Sequence, residues 1–511
     1  MNARSTDKTL LAAYGLAVFG GVIIFLGWAG FGIWPLELVA LVPFWAAIEL
    51  AKDRTWKAVL ALSWTYGTIG NAGGYHWLVE FFEVFSGFGF LPSAAIFGVF
   101  AVYLGAQYAG MGVLYWGIRR RGWGIAAAGL SAFLLAEWLF PKLFPIYLSN
   151  TLLQVPILVQ TADLGGPLLV TALIGLVNVA VFETLRWWLG ARSVPVGTLL
   201  VSTIFVAFTL LYGAIRIAQV DQAVADAPTF EVGLIQVNMG IFEKRKNRAE
   251  GHRRLVEQSL ELEADGALDL LVWPESAFGR KLPRDLPMTA AAVQQDIRTP
   301  ILFGALSVSR EGGRRRVYNT AFLVDEEGIV RESYDKTFLL MFGEYLPFGE
   351  TFPVLYDVSP NSGRFTPGSH LDPLTLGPWR ISTPICYEDV LPGFTRRMVR
   401  HADPHLLINL TNDAWFGDTQ EPWIHLVLSQ FRAIEHRRYL VRSTNTGISA
   451  IIDPVGRIVA RTGVETRENL RGTVRMMDGQ TMYAYLGDWP GWLSLVGVVV
   501  MLFRRRLRRI P

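Results

Sequence analysis

The stretch Arg380-Ile-Ser-Thr-Pro-Ile-Cys-Tyr-Glu-Asp389 carries the single cysteine of the chain, Cys386. Apolar residues lead into the thiol, and Tyr387, Glu388 and Asp389 follow it. The pattern predicts a buried strand ending in a sharp turn, which holds a thiol at the mouth of a site. One cysteine in 511 residues excludes an intrachain disulfide. The plain alternative is a small buried hydrophobe. Two other strings favour chemistry instead. Leu270-Leu-Val-Trp-Pro-Glu-Ser276 brings Glu275 to a strand end, and Glu332-Ser-Tyr-Asp-Lys-Thr-Phe338 does the same for Lys336. A buried carboxylate can take the thiol proton, and a lysine can stabilise a thiolate or an oxyanion. Taken alone, Glu275 could equally be a surface carboxylate at a strand end, and Lys336 reads better as an ordinary exposed lysine.

Around these strings the chain divides in two. It is 51% hydrophobic and 18% charged, with a mean hydropathy of +0.31, too apolar for an ordinary soluble protein. Residues 9–36 and 91–118 carry no charge, and each run exceeds the roughly 20 residues that cross a bilayer. Further spans are expected at 36–51, 58–78, 123–141, 165–182 and 194–215, with a last one at 483–503. The expected domains are a membrane domain of about seven helices over 1–220, a catalytic domain over 221–480, and a final span with a basic tail over 481–511.

Loop charges orient the spans. Arg4 and Lys8, then Lys52, Arg54 and Lys57, then Arg119, Arg120 and Arg121, then Arg186 and Arg192 fall in alternate loops, and Arg504, Arg505, Arg506, Arg508 and Arg509 follow the last span. The intervening loop at 79–90 carries Glu80 and Glu83. The positive-inside rule then places both termini in the cytoplasm and the large domain outside. The terminal arginine run reads as a topological signal beside a membrane, not as a nucleic-acid site. The first apolar run is too long for a cleaved signal peptide.

Residues 221–480 alternate strand-like and helical strings. Strands are expected at 230–238, 268–276, 300–308, 380–386 and 405–413, helices at 247–265 and 420–442, and hairpin turns at Asp325–Gly328 and Asp453–Gly456. A layered α/β domain follows. Trp415 and Phe416, after Asn412-Asp413, read either as an exposed lipid-contact loop or as core packing. The helix bearing Arg432, Glu435, Arg437 and Arg438 reads equally as a functional segment or as a solvated, salt-bridged face. Seven histidines form no zinc motif, so no metal and no cofactor are expected.

The strings Trp273–Ser276, Tyr334–Lys336, Phe342–Gly349, Ile385–Asp389, Asn409–Asp418 and Arg432–Ser449 together resemble the nitrilase (carbon–nitrogen hydrolase) superfamily. With the flanking spans, they resemble its apolipoprotein N-acyltransferase family. The resemblance implies an α-β-β-α sandwich joined to a polytopic α-helical membrane domain, in the bacterial inner membrane with the catalytic domain in the periplasm. It implies Cys386 as nucleophile, Glu275 as general base and acid, Lys336 as oxyanion stabiliser and Glu344 as a supporting carboxylate. Tyr387 and Glu388 would shape the pocket, and Asn412, Trp415 and Phe416 would serve substrate binding on a mobile loop. A phospholipid would donate its acyl chain, and diacylglyceryl-modified apolipoproteins would accept it. The sequence departs from the family pattern at Phe338, Leu340 and Met341, and again at Met239-Gly-Ile-Phe242. The alternatives are a membrane-tethered amidase or nitrilase, in which water resolves the thioester, and a non-catalytic transporter or receptor.

Overall fold

The computed structural model describes residues 3–504, except 192, 241, 242, 244, 245, 286–289 and 360. Arg192, Ile241, Phe242, Arg505, Arg506, Arg508 and Arg509, used above, lie outside the described residues. The chain forms two compact units. One comprises Met1–Glu83, Phe88–Arg216 and Leu486–Pro511; the other comprises Val84–Gly87 and Ile217–Tyr485.

The first unit is helical. Among the described residues, four helices are long and apolar enough to cross a membrane. They contain Lys8–Leu26, Phe90–Arg119, Ala162–Trp188 and Val196–Asp226. The other expected spans fall on shorter or less apolar helices, Trp56–Gly74, Ile125–Leu139 and Trp489–Phe503. The span expected at 36–51 is corrected. Its α-helix covers only Leu41–Leu50, because Trp34–Leu38 winds as a 3-10 turn. Ten residues rise about 15 Å, half of a hydrocarbon core. Asn178 closes this junction: Leu41 N donates to its Oδ1 at 2.9 Å, and its Nδ2 donates to Glu37 O at 2.7 Å. Apolar surroundings offer no water for such groups. Glycines bring helices into close contact, since a Cβ on Gly112 would lie 1.9 Å from Ser63 Oγ. Leu200, Val201, Ile204 and Leu211 stay exposed on their helix, as lipid-facing side chains do.

The second unit is a sandwich of two sheets. In the first, strands β1 (Thr229–Gln236), β2 (Leu270–Val272), β4 (Ile301–Glu311), β5 (Arg314–Val324) and β6 (Val330–Asp335) follow β13 (Glu468–Arg475) in the order β13-β1-β2-β4-β5-β6, with β3 (Phe278–Pro283) on β4. The second runs β12 (Ile458–Arg461), β11 (Ala450–Ile452), β10 (Leu440–Thr444), β9 (Leu406–Thr411), β8 (Trp379–Ser382) and β7 (Leu374–Leu376). The central strands β9 and β10 are buried along their whole length because both their faces are covered. Val232, Leu234, Leu302 and Leu323 meet Ile381, Ile408, Leu410 and Val441 between the sheets. Ile235, Phe303 and Phe322 pack outward with Leu255 and Leu262 of the helix Arg248–Ala264. Leu407, Leu440 and Ala450 pack outward with Val399 and Leu426 of the helices Pro392–Ala402 and Glu421–His436. The layers are therefore α-β-β-α.

Two expectations fail here. The helix expected over 420–442 stops at His436, where Arg437 takes φ +53° as its left-handed cap, and residues 440–444 become β10. Of the two readings of the charged helix, the solvated face is the one that fails: Arg432, Glu435, Arg437 and Arg438 are at most 5% exposed. Carbonyl oxygens replace water as partners. Arg438 donates to those of Pro404, His436, Arg437, Asp478 and Gly479, and Arg432 pairs with Glu435 at 2.5 Å.

Candidate functional site

The site begins with a buried tryptophan. Trp273, just after β2, is fully buried, and its Nε1–H donates to Ser259 Oγ at 2.9 Å. This anchors Pro274 and Glu275 at the strand end. The backbone there runs against β4, where a Cβ on Gly304 would fall 2.6 Å from Glu275 Cα, so only glycine fits.

Lys336 follows β6 and is 1% exposed. Its Nζ lies 2.8 Å from Glu344 Oε2 and 3.6 Å from Glu275 Oε1. Asn319, on β5, bridges the two carboxylates: its Nδ2 donates to Glu275 Oε1 at 2.6 Å and to Glu344 Oε1 at 2.9 Å. Leu340 N donates to Glu344 Oε2 at 2.8 Å, so the same carboxylate holds the segment after Lys336.

Cys386 opens a short 3-10 turn, Cys386–Val390, with φ +48°. A non-glycine residue there is strained, a common feature of functional turns. The thiol lies within electrostatic reach of Glu275 and Lys336. Asn409 Nδ2 donates to Pro384 O at 3.1 Å and Cys386 O at 3.3 Å, pinning the turn to β9. Glu388 is fully buried and braces the turn from beneath. It accepts from Ile385 N at 2.8 Å, Thr337 N at 2.7 Å, Phe338 N at 2.8 Å and Tyr334 Oη at 2.9 Å. It thus ties the lysine segment to the Cys386 turn. Tyr387 is buried, its ring 6.0 Å from Phe338.

The electrostatics follow from burial. Desolvation, and then the Glu275 charge, push the Cys386 thiol well above its ordinary value, with Lys336 opposing. Burial raises Glu275 as well, against the pull of Lys336. Burial alone would lower Lys336, but Glu344, Cys386 and Glu275 hold it above its ordinary value, so it stays a cation. Desolvation lifts Glu388 to about 7 against its backbone donors. A neutral thiol beside a carboxylate and a fixed ammonium can deliver a thiolate to an electrophile and receive the resulting oxyanion.

Behind Cys386 lies a network that sequence reading missed. Arg442, on β10, donates to Asp389 Oδ2 and Asp413 Oδ2, each at 3.0 Å, and to Asn409 Oδ1 at 3.1 Å. His425 joins the same aspartates, Nδ1 to Asp413 Oδ1 at 2.9 Å and Nε2 to Asp389 Oδ1 at 3.1 Å. Burial and Arg442 press His425 down, but the two aspartates raise it to about 10. Both ring nitrogens face aspartate oxygens. Asp413, Glu421 and His425 group closely, with His425 Nδ1 also 3.7 Å from Glu421 Oε1. Asn412 Oδ1 accepts from Asn445 Nδ2 at 3.0 Å. Trp415 is half-buried, edge-on to Phe85 with ring centroids 5.3 Å apart. Phe416 is 6% exposed, so the exposed Trp-Phe pair is corrected: Phe416 packs inward.

The two-sheet sandwich and this buried site define a carbon–nitrogen-hydrolase class of domain. Residues 231–482 match the carbon–nitrogen hydrolase family, and residues 20–180 match the apolipoprotein N-acyltransferase N-terminal domain. The chain is 30% identical to the apolipoprotein N-acyltransferase of Geobacter metallireducens, over 96% of each chain. It is 31% identical to that of Rhizobium meliloti, over 89% of this chain and 87% of the relative. Among solved structures, Nit3 of Saccharomyces cerevisiae, a nitrilase-superfamily member, covers 50% of this chain and 93% of its own at 17% identity and a TM-score of 0.37. The chain belongs to the apolipoprotein N-acyltransferase family.

Proposed function

We propose that the chain is a membrane-bound bacterial N-acyltransferase that moves an acyl chain from a glycerophospholipid to the α-amine of an S-diacylglyceryl cysteine at an apolipoprotein N-terminus. What supports this reading most is the convergence of Cys386, Glu275 and Lys336 in one buried site of a chain from this family. Glu275 takes the thiol proton as sulfur attacks the acyl ester. Lys336 and the backbone N–H after the cysteine stabilise the oxyanion. The tetrahedral intermediate collapses, Glu275 returns the proton to the departing alkoxide, and a lysophospholipid leaves behind a thioester. The lipoprotein amine then attacks, Glu275 takes its proton, and the thiol reforms as the amide leaves. Glu344 holds Lys336 as a cation, and Glu388 and Tyr387 position the turn. Burial keeps water from competing with the amine.

Tethering suits two membrane-bound substrates, and the basic loops put the catalytic domain on the periplasmic side with both termini in the cytoplasm. The deciding experiment incubates purified protein with acyl-labelled phospholipid. Label should appear on Cys386 and pass to a diacylglyceryl peptide. Label released only as free fatty acid in the peptide's presence would make the protein a hydrolase, and unlabelled Cys386 would exclude the thioester.

A further inference from the structure

The hairpin joining β4 and β5 ends in Glu311-Gly-Gly-Arg-Arg-Arg316. In its register Arg310 stands directly opposite Arg315. Like charges directly opposite in a ladder are destabilising. Neither guanidinium has a carboxylate partner among the described residues. A cavity of about 740 Å³ opens at this point, lined by Arg284, Asp285, Val308, Ser309, Arg310 and Arg315.

Arg284 is already fixed. Its Nη2 lies 2.7 Å from Asp335 Oδ2, and its guanidinium sits over the Tyr318 ring, 4.5 Å from the centroid. Asp335 neutralises it, and Asp285 is the one carboxylate residue among the described residues on the lining. Arg310 and Arg315 therefore leave the cavity with a net positive charge, suited to a monoanion. Strand alternation puts Arg315 and Val317 on the same face of β5 as Asn319, with Arg310 and Val308 opposite them. Asn319 holds both Glu275 and Glu344. Four residues of antiparallel strand, about 14 Å, separate it from Arg315, with an arginine side chain able to reach back. Paired guanidinium forks match phosphate oxygens better than any other common anion-binding side chain.

We propose that this cavity is a phosphate subsite receiving the phosphodiester of the acyl donor. The proposal rests on the acyl-donor reading above. The test uses the full-length protein in detergent and the double variant Arg310→Gln/Arg315→Gln, both positions being exposed. Acylation of Cys386 is followed by mass spectrometry with a diacyl phospholipid and with a diacylglycerol of the same chains, which lacks phosphate. The variant should need about tenfold more phospholipid for half-saturation, so its preference for phospholipid over diacylglycerol falls by that factor.

A second arm titrates inorganic phosphate against melting temperature. Phosphate that stabilises the parent but not the variant, with phospholipid saturation unchanged, assigns the cavity to free phosphate instead of lipid. Unchanged phospholipid saturation together with no phosphate effect overturns the proposal, as does an equal loss with both lipids. If neither lipid acylates the parent, the acyl-donor reading has failed, and the phosphate titration still decides the cavity.

Discussion

Lys336 Nζ sits 2.8 Å from Glu344 Oε2, nearer than to Glu275 at 3.6 Å. The lysine is therefore held chiefly by Glu344, which leaves Glu275 free to exchange a proton. Glu344→Gln keeps the shape and removes the charge. Lys336 loses its strongest upward influence. Acylation of Cys386 should fall about 10- to 100-fold, while melting changes little. An acylation rate equal to the parent's would remove Glu344 from the machinery.

The triad should reveal itself in pH dependence. Glu275 is raised above the usual carboxylate range, so falling pH protonates it there and removes the base. Acylation should drop on the acid side. Glu275→Gln should slow acylation about 100-fold or more and abolish that acid limb. Cys386→Ala should end transfer while the protein still folds, since no second thiol exists. An acid limb surviving in Glu275→Gln would assign the base elsewhere.

His425 links stability to pH. Its folded value, about 10, exceeds its unfolded value near 6.5, so its contribution is full below 6.5 and is lost as pH rises to 10. Asp413, lowered to about 2 by His425 and Arg442 against its burial, contributes above 3.8 and loses that as pH falls toward 2. These shifts describe one interaction and are not summed. His425→Gln should cost about 3 kcal/mol near pH 6. The gap in melting temperature between parent and variant should close toward pH 10. A gap independent of pH would mean His425 acts only by packing.

Trp415 and Phe416 should separate. Phe416→Ala empties a buried site and should destabilise the domain by about 3–5 kcal/mol. Trp415→Ala removes an edge contact with Phe85, of about 0.5–1.5 kcal/mol. It should lower phospholipid acylation about three- to tenfold and leave labelling of Cys386 by a small water-soluble thiol reagent unchanged. Equal losses in both assays would make Trp415 a packing residue.

Much of this protein is written locally. Charge-free runs of bilayer length, basic loops in alternation, and apolar strings ending in Glu275, Lys336 and Cys386 are each legible because they depend on neighbours in sequence. Asn319 was invisible. Nothing in Arg314–Val324 distinguishes it from any other polar residue on a strand, and its role comes from β5 lying between β4 and β6. The helix end at His436 was equally hidden, because Arg437 and Arg438 look like surface charges until carbonyls of distant loops surround them. So was Arg442, whose two aspartates lie 53 and 29 residues away. The sequence by itself determined which residues could do chemistry and which segments could enter a membrane, because hydrophobic period and charge are local. Only the tertiary structure decided which carboxylate holds the lysine, which aromatic ring turns inward and which charges are buried together, because desolvation and partner geometry exist only once the two sheets pack.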